Sequence, residues 1–396
     1  VSKNITTFTA QGLSSLLGLI TFVLLARFLG VDEFGKFSLV FIIMLLCLDL
    51  MRSFTIHPMQ SNHHKFGQTQ YFTTGLAIAC VMMLVIAVIV KSITLISANY
   101  LTSWGIGDGF LASITYISGK LFCEYLKGYF YSYSQPKRVL AIDATLFVTV
   151  IGILVFLRPN QYGKALYIIA AAHYLVIIGN LLFIRYSFKD MGVIAKFNLN
   201  QGKWLCGTGL LKWLNGNFII LVATSVLGVA VAGGIRAMQT ILSPIGVVYL
   251  ALDNIVPVKA ATLYKKGGRA KLNKYLGNLV LAITGLVFLS VCVAWLLGGF
   301  INQLLYSGQY AEYIKLLPFI GTALILAACT NFAVYGLRTI GQTKPIFNAY
   351  LINAIISVIF AYPLVKYFGI IGFGIGIIGF QLLLSIYCYY RFSKIK

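Results

Sequence analysis

Leu25-Ala26-Arg27-Phe28-Leu29-Gly30-Val31-Asp32-Glu33-Phe34-Gly35-Lys36-Phe37 is the first polar interruption in an otherwise apolar opening. The run Leu13–Leu29 leads into it, and apolar residues resume from about 34 to 54. Each run has the length of a helix that crosses a bilayer, about 17–25 residues. Part of the interruption recurs. Leu29-Gly30-Val31 with Gly35 matches Leu227-Gly228-Val229 with Gly233, an offset of 198 in a chain of 396. Gln135-Pro136-Lys137 likewise resembles Gln342-Thr343-Lys344-Pro345 at an offset of 207. Together the matches predict two six-helix halves of like orientation, related by an axis along the membrane normal.

Composition agrees. The chain is 59% hydrophobic and 10% charged, with a mean hydropathy of +0.89. A soluble domain carries about 25% charged residues, so both a soluble domain and a disordered chain are excluded. Twelve spans are expected, at about 12–30, 34–54, 71–96, 108–132, 139–157, 165–186, 204–227, 230–257, 273–297, 314–338, 346–367 and 370–390. The first has no small-residue cleavage site and is read as a retained helix rather than a signal peptide. Tyr71, Trp104, Tyr133, Trp204 and Tyr367 fall near span ends, where interfacial aromatics anchor. The expected fold class is an all-α integral membrane protein of about twelve helices in two six-helix bundles. Its expected division is 1–190, a polar and basic cytoplasmic linker at 191–203, and 204–396.

The 31 basic and nine acidic residues give a net charge of +22. In a soluble protein that would suggest nucleic acid. Here twenty basic residues fall in loops on the starting side, seven in the opposite loops and four inside spans. The positive-inside rule then places both termini in the cytoplasm, and no nucleic-acid partner is expected. The seven cysteines lie in or beside apolar runs without a CxxC pair, as small buried hydrophobes do.

No cofactor or metal is expected. Gly374-x-Gly376-x-x-Gly379 lacks the strand and polar turn of a dinucleotide fingerprint, and Gly372-x-x-x-Gly376 reads as close helix packing. His57, His63 and His64 follow span two without helix-phased spacing or a partner carboxylate. Enzymes of the DxD, GxSxG and HExxH types are absent from the pattern, and the longest outer stretch is Ile93–Gly107. The chain is read as a non-enzyme.

Ionisable residues inside spans carry the functional signal. A mid-bilayer Lys or Arg costs about 2.5–3.5 kcal/mol on insertion scales, so it faces a cavity or a partner. Lys120, Glu124 and Lys127 share one face of span four, where Glu124 can pair with either lysine without neutralising both. Arg236, Gln239, Thr240, Ser243 and Asn254 align on span eight, which Pro244 and Pro257 interrupt. Thr208, Lys212 and Asn215 align on span seven, and Asn331, Tyr335 and Arg338 on span ten. Asp49 and Arg52 read equally as a gate pair or a local ion pair. Lys120, Lys127, Lys212 and Arg236 are the expected substrate-binding cations of a water-accessible central cavity. Arg27, Asp49, Arg52, Glu124 and Arg338 are the gate or coupling candidates. Such a cavity suits an anionic cargo, phosphate above all.

Gly18-Leu19-Ile20-Thr21-Phe22 and the Leu25–Phe37 stretch resemble the opening of Wzx-type polysaccharide-biosynthesis (O-antigen) flippases. These belong to the multidrug/oligosaccharidyl-lipid/polysaccharide (MOP) exporter superfamily. Gly234-Ile235-Arg236-Ala237 through Pro257 to Leu263, Leu304–Tyr310, and Phe368-Gly369-Ile370-Ile371-Gly372 are also similar to that family. The resemblance implies a MATE-like pair of bundles around a cationic cavity, working by alternating access in the bacterial cytoplasmic (inner) membrane. It implies an undecaprenyl-diphosphate-type lipid-linked oligosaccharide as cargo, and a polysaccharide polymerase and chain-length regulator as partners. Of the basic residues, only Arg27 and Arg236 lie in matched segments. Two other readings stand beside it: a drug or organic-cation antiporter of the same superfamily, and a membrane polysaccharide polymerase or ligase.

Overall fold

The computed structural model describes residues 2–62, 64–96 and 109–394, and among these it contains helices and no strand. His63, Trp104 and most of the expected outer stretch Ile93–Gly107 lie outside the described residues, as does the side chain of Asn254.

Twelve membrane-length helices follow in order. Helix α1 (2–29) turns at Gly30 into α2 (31–51), which continues through a π-helical turn, Arg52–Ile56, to Asn62. Then come α3 (Gln68–Ile96), α4 (Phe110–Ser132), α5 (Pro136–Leu157), α6 (Tyr162–Leu181) and α7 (Met191–Leu227). Helix α8 starts as Val229–Ile241 and bends by 56° into the segment that begins at Ser243. Pro244 sits in the first turn after that bend, where a missing N–H costs nothing. The chain turns again at Gly267-Gly268 into α9 (269–296). A short helix, Gly298–Tyr306, and a 3-10 turn, Ala311–Leu316, lead to α10 (Leu317–Thr339). Helices α11 (344–368) and α12 (370–394) meet at Gly369.

The boundaries differ from expectation where charge was read as loop. Residues 191–203, expected as a linker, are helical and form the first turns of α7. The basic stretch 259–274 is helical apart from its Gly267-Gly268 corner. Lys, Arg, Ala and Leu are good helix formers, so these helices run on past the end of their apolar sequence.

The chain divides into two compact units, Val1–Trp213 and Leu214–Lys396. In the first, α4 is the most enclosed helix, packing chiefly on α6, while the α1–α2 pair packs on α5. In the second, α10 holds the equivalent place against α8, α9, α11 and α12. Both units turn large apolar side chains outward, among them Val148, Phe156, Phe183, Leu281, Leu296 and Phe300. That inversion of a soluble surface is what a lipid solvent selects, and the chain is a multi-pass membrane protein. The glycine pattern near the C-terminus is a packing device. A Cβ on Gly376 would stand 2.2 Å from Ile219, and one on Gly372 would stand 2.0 Å from the Leu364 carbonyl oxygen.

Candidate functional site

The first unit holds five charged side chains in one continuous network. Glu124, in the middle of α4, takes Arg52 Nη2 on Oε2 at 2.8 Å and Lys127 Nζ on Oε1 at 2.9 Å. Lys127 Nζ also reaches Asp143 Oδ1 of α5 at 3.1 Å and donates to Ser14 Oγ of α1 at 3.3 Å. Lys120 Nζ stands 3.9 Å from Glu124 Oε1, the longest pairing of the set. Exposure of the side chains grades along the network: Arg52 38%, Lys120 26%, Glu124 14%, Lys127 9% and Asp143 2%. One end is therefore buried and fully bonded, and the other opens outward.

Each position has a local cause. The spacing i, i+4, i+7 puts Lys120, Glu124 and Lys127 on one stripe of α4. Arg52 begins the π-helical turn, a wide turn often found at functional sites. Ser53 and Thr55 hydroxyls in that turn donate back to the Asp49 and Met51 carbonyls at 2.8 and 2.7 Å. A buried pair is stable only when its remaining hydrogen-bonding capacity is satisfied, and here Lys127 is met by two carboxylates and a hydroxyl.

The network borders a cavity of about 300 Å³. Its lining includes Arg52, Lys120, Glu124, Lys127 and His173 together with Phe22, Phe37, Phe41 and Tyr116. Phe22 meets Phe41 edge to face at 4.8 Å between ring centres, which fixes the aromatic wall. His173 is buried, with Nδ1 2.7 Å from the Ile169 carbonyl oxygen. The site combines net positive charge with aromatic side chains.

The structure distributes the sequence-derived candidates unevenly. Lys120, Glu124, Lys127 and Arg52 come together. Arg52 bonds Glu124, whose carboxylate α4 brings to its guanidinium, and it is also the leading charge acting on Asp49. Lys127 is a buried strut between Glu124 and Asp143, not an open cation. Lys212 lies in the first unit, not the second: Asp49 feels the charges of Arg52, Lys212 and His57, and Trp213 Nε1 donates to the Ile42 carbonyl at 2.9 Å. Arg236 is half-buried in the second unit and donates to Gln239 Oε1 at 3.2 Å. Arg27 and Arg338 are exposed, on the last turn of α1 and of α10 respectively. Asp143 and His173 were missed. Asp143 carried a usable signal, since a lone carboxylate inside an apolar span needs a cationic partner. His173 carried none. The motif Leu304–Tyr310 packs on α8 one residue from Arg236, where Tyr306 Oη donates to the Ala237 carbonyl at 3.1 Å. Among the described residues no cluster of His, Cys, Asp and Glu could hold a metal ion.

No protein-family model matches the sequence, and no curated protein matches it either. Solved structures do. One is an inward-facing multidrug resistance MATE family transporter of the MOP superfamily, with a TM-score of 0.78 at 15% identity, covering 96% of this chain and 94% of that one. The chain has the fold of the MOP-superfamily transporters. The lipid II flippase MurJ, in an inward closed conformation, matches with a TM-score of 0.69 at 14% identity, over 98% and 88% of the two chains. A MOP superfamily transporter from Pyrococcus furiosus, described as having a binding pocket of reversed polarity, matches at 0.63 and 15% identity, over 98% and 94%.

Proposed function

We propose that this protein is a flippase of the Wzx type, moving polyprenyl-diphosphate-linked oligosaccharides across the bacterial cytoplasmic membrane for polysaccharide synthesis. The observation that carries the reading is the cavity of the first unit, lined by both cationic and aromatic side chains. Three cations, Arg52, Lys120 and Lys127, stand against Glu124 and Asp143, and the surplus charge falls at the half-buried, loosely paired Lys120. A diphosphate fits beside Lys120 and Arg52, where an Arg fork and a Lys point charge both favour phosphate oxygens. The aromatic wall suits an isoprenoid chain. The likeness to MurJ, named as a lipid II flippase, points the same way.

A second reading has an observation of its own. The network contains two carboxylates, and organic-cation antiporters of the MOP superfamily would need such groups. Against it, Glu124 and Asp143 both already hold Lys127, and Glu124 holds Arg52 as well. A cationic cargo would have to displace these bonds.

Deletion of the gene, in a strain with no second flippase, should trap lipid-linked repeat units on the inner leaflet and remove the surface glycan. Unchanged glycan would overturn the proposal. Raised sensitivity to cationic drugs with normal glycan would favour the antiporter.

A further inference from the structure

Four helices of the second unit each bring one carboxamide to a cavity of about 200 Å³: Asn215 from α7, Gln239 from α8, Asn353 from α11 and Gln381 from α12. Among the described residues lining it none is charged, and Phe373 and Phe380 supply apolar walls. The amides are held in place from behind. Asn353 Nδ2 donates to Asn215 Oδ1, whose own Nδ2 donates to the Tyr350 carbonyl at 2.9 Å. Gln381 Nε2 donates to Thr330 Oγ1 at 2.9 Å, and Arg236 donates to Gln239 Oε1. One atom is left over. Asn353 is 4% exposed, and its Oδ1 accepts no hydrogen bond.

We propose that this cavity is a subsite for a single uncharged sugar ring, the carbohydrate portion of the cargo; the proposal rests on the flippase reading above. Three physical matches support it. Carboxamides both donate and accept, as hydroxyl groups do, so four of them around a small space can satisfy a polyol from several sides. The phenyl walls can cover the C–H face of a ring. The volume equals that of about six or seven waters at ~30 Å³ each, the scale of one ring rather than a chain of them. A diphosphate finds no cation in the lining. A hard metal cation, which seeks six or more oxygen ligands, finds two of the four amide oxygens already committed, those of Asn215 and Gln239.

The test uses the full chain, purified in a detergent without a sugar headgroup. Its thermal unfolding is followed with methyl glycosides of glucose, galactose, N-acetylglucosamine and rhamnose, and in parallel with farnesyl diphosphate. At least one glycoside should raise Tm saturably. Asn353→Leu should weaken that effect about tenfold, the scale of one lost hydrogen-bonding group, and leave farnesyl diphosphate binding intact. Should Asn353→Leu fail to fold, Gln381→Met carries the same expectation. Binding of farnesyl diphosphate without any glycoside overturns the subsite and spares the flippase reading. Binding of a glycoside without farnesyl diphosphate does the reverse. Stabilisation by sodium over choline that these variants abolish, with no glycoside effect, also overturns the subsite in favour of an ion.

Discussion

The two units share their corners and differ in their polar interiors. Gly30 and Gly228 adopt nearly the same conformation, φ 75° with ψ 176° and φ 98° with ψ 165°, each closing one helix and opening the next. The turns after α4 and α10 are alike as well. Gln135 N bonds the Phe130 carbonyl at 2.9 Å, and Gln342 N bonds the Leu337 carbonyl at 2.8 Å. The preceding residues, Ser134 and Gly341, are both left-handed, at φ 56° and 77°. These are Schellman closures, the same device twice. Inside, the first unit carries the five-charge network of Arg52, Lys120, Glu124, Lys127 and Asp143, and the second carries carboxamides. Backbone geometry at the corners survives sequence drift because few residues can adopt it, while interior polar groups are free to diverge toward different ligands.

The comparison breaks first at its charged half. Asp143→Leu removes one of the two carboxylates of a buried lysine, and should cost about 3–5 kcal/mol. Asn353→Leu in the second unit breaks a neutral bond and should cost about 1–3 kcal/mol. Thermal unfolding in detergent reads both, and an equal or reversed order would show that the ion network is not the stiffer framework. The double variant Lys127→Met with Asp143→Leu should recover most of the loss, because no buried charge is then left without its partner.

Lys120 separates function from fold. Lys120→Ala should reduce transport about ten- to a hundredfold, the equivalent of one charge-assisted hydrogen bond of roughly 1.5–3 kcal/mol, with normal levels of folded protein. Lys120→Arg should retain transport. Glycan export in complemented deletion cells measures the one, and detergent-solubilised yield the other. Loss of folded protein in Lys120→Arg would make this lysine structural, like Lys127.

The shared corners predict matched effects. Gly30→Ala and Gly228→Ala should each cost about 1–3 kcal/mol, because that region of backbone space is almost closed to residues with a Cβ. Nothing lies within 4 Å of a Cβ on Gly228, so its cost is one of conformation alone. Costs that differ by more than about twofold would end the equivalence. The smallest effect is a trade. Ser134→Gly should stabilise by about 0.5–1 kcal/mol, and Gly341→Ser should destabilise by a similar amount, since both positions need a left-handed residue.

Apolar run lengths placed the twelve helices, and Leu29-Gly30-Val31 with its echo at 227–229 located two matching glycine corners. Both readings depend on near-neighbour chemistry: a bilayer demands about twenty apolar residues, and a positive-φ corner demands glycine. The helical character of 191–203 and of the basic stretch around Gly267 escaped, because polarity was read as the end of a helix when it marked only the end of an apolar run. The face of α4 that carries Lys120, Glu124 and Lys127 was legible from a 3.6-residue period. Its partners were not. Arg52 lies 72 residues from Glu124, and Asn215 lies 138 from Asn353. Spacing along one helix determines which side chains share a face, but no periodicity says which face of another helix will meet it. Only the packed unit decided that Lys127 is a strut, that Lys120 stands toward the open end of the network, and that four amides from four helices converge on one cavity.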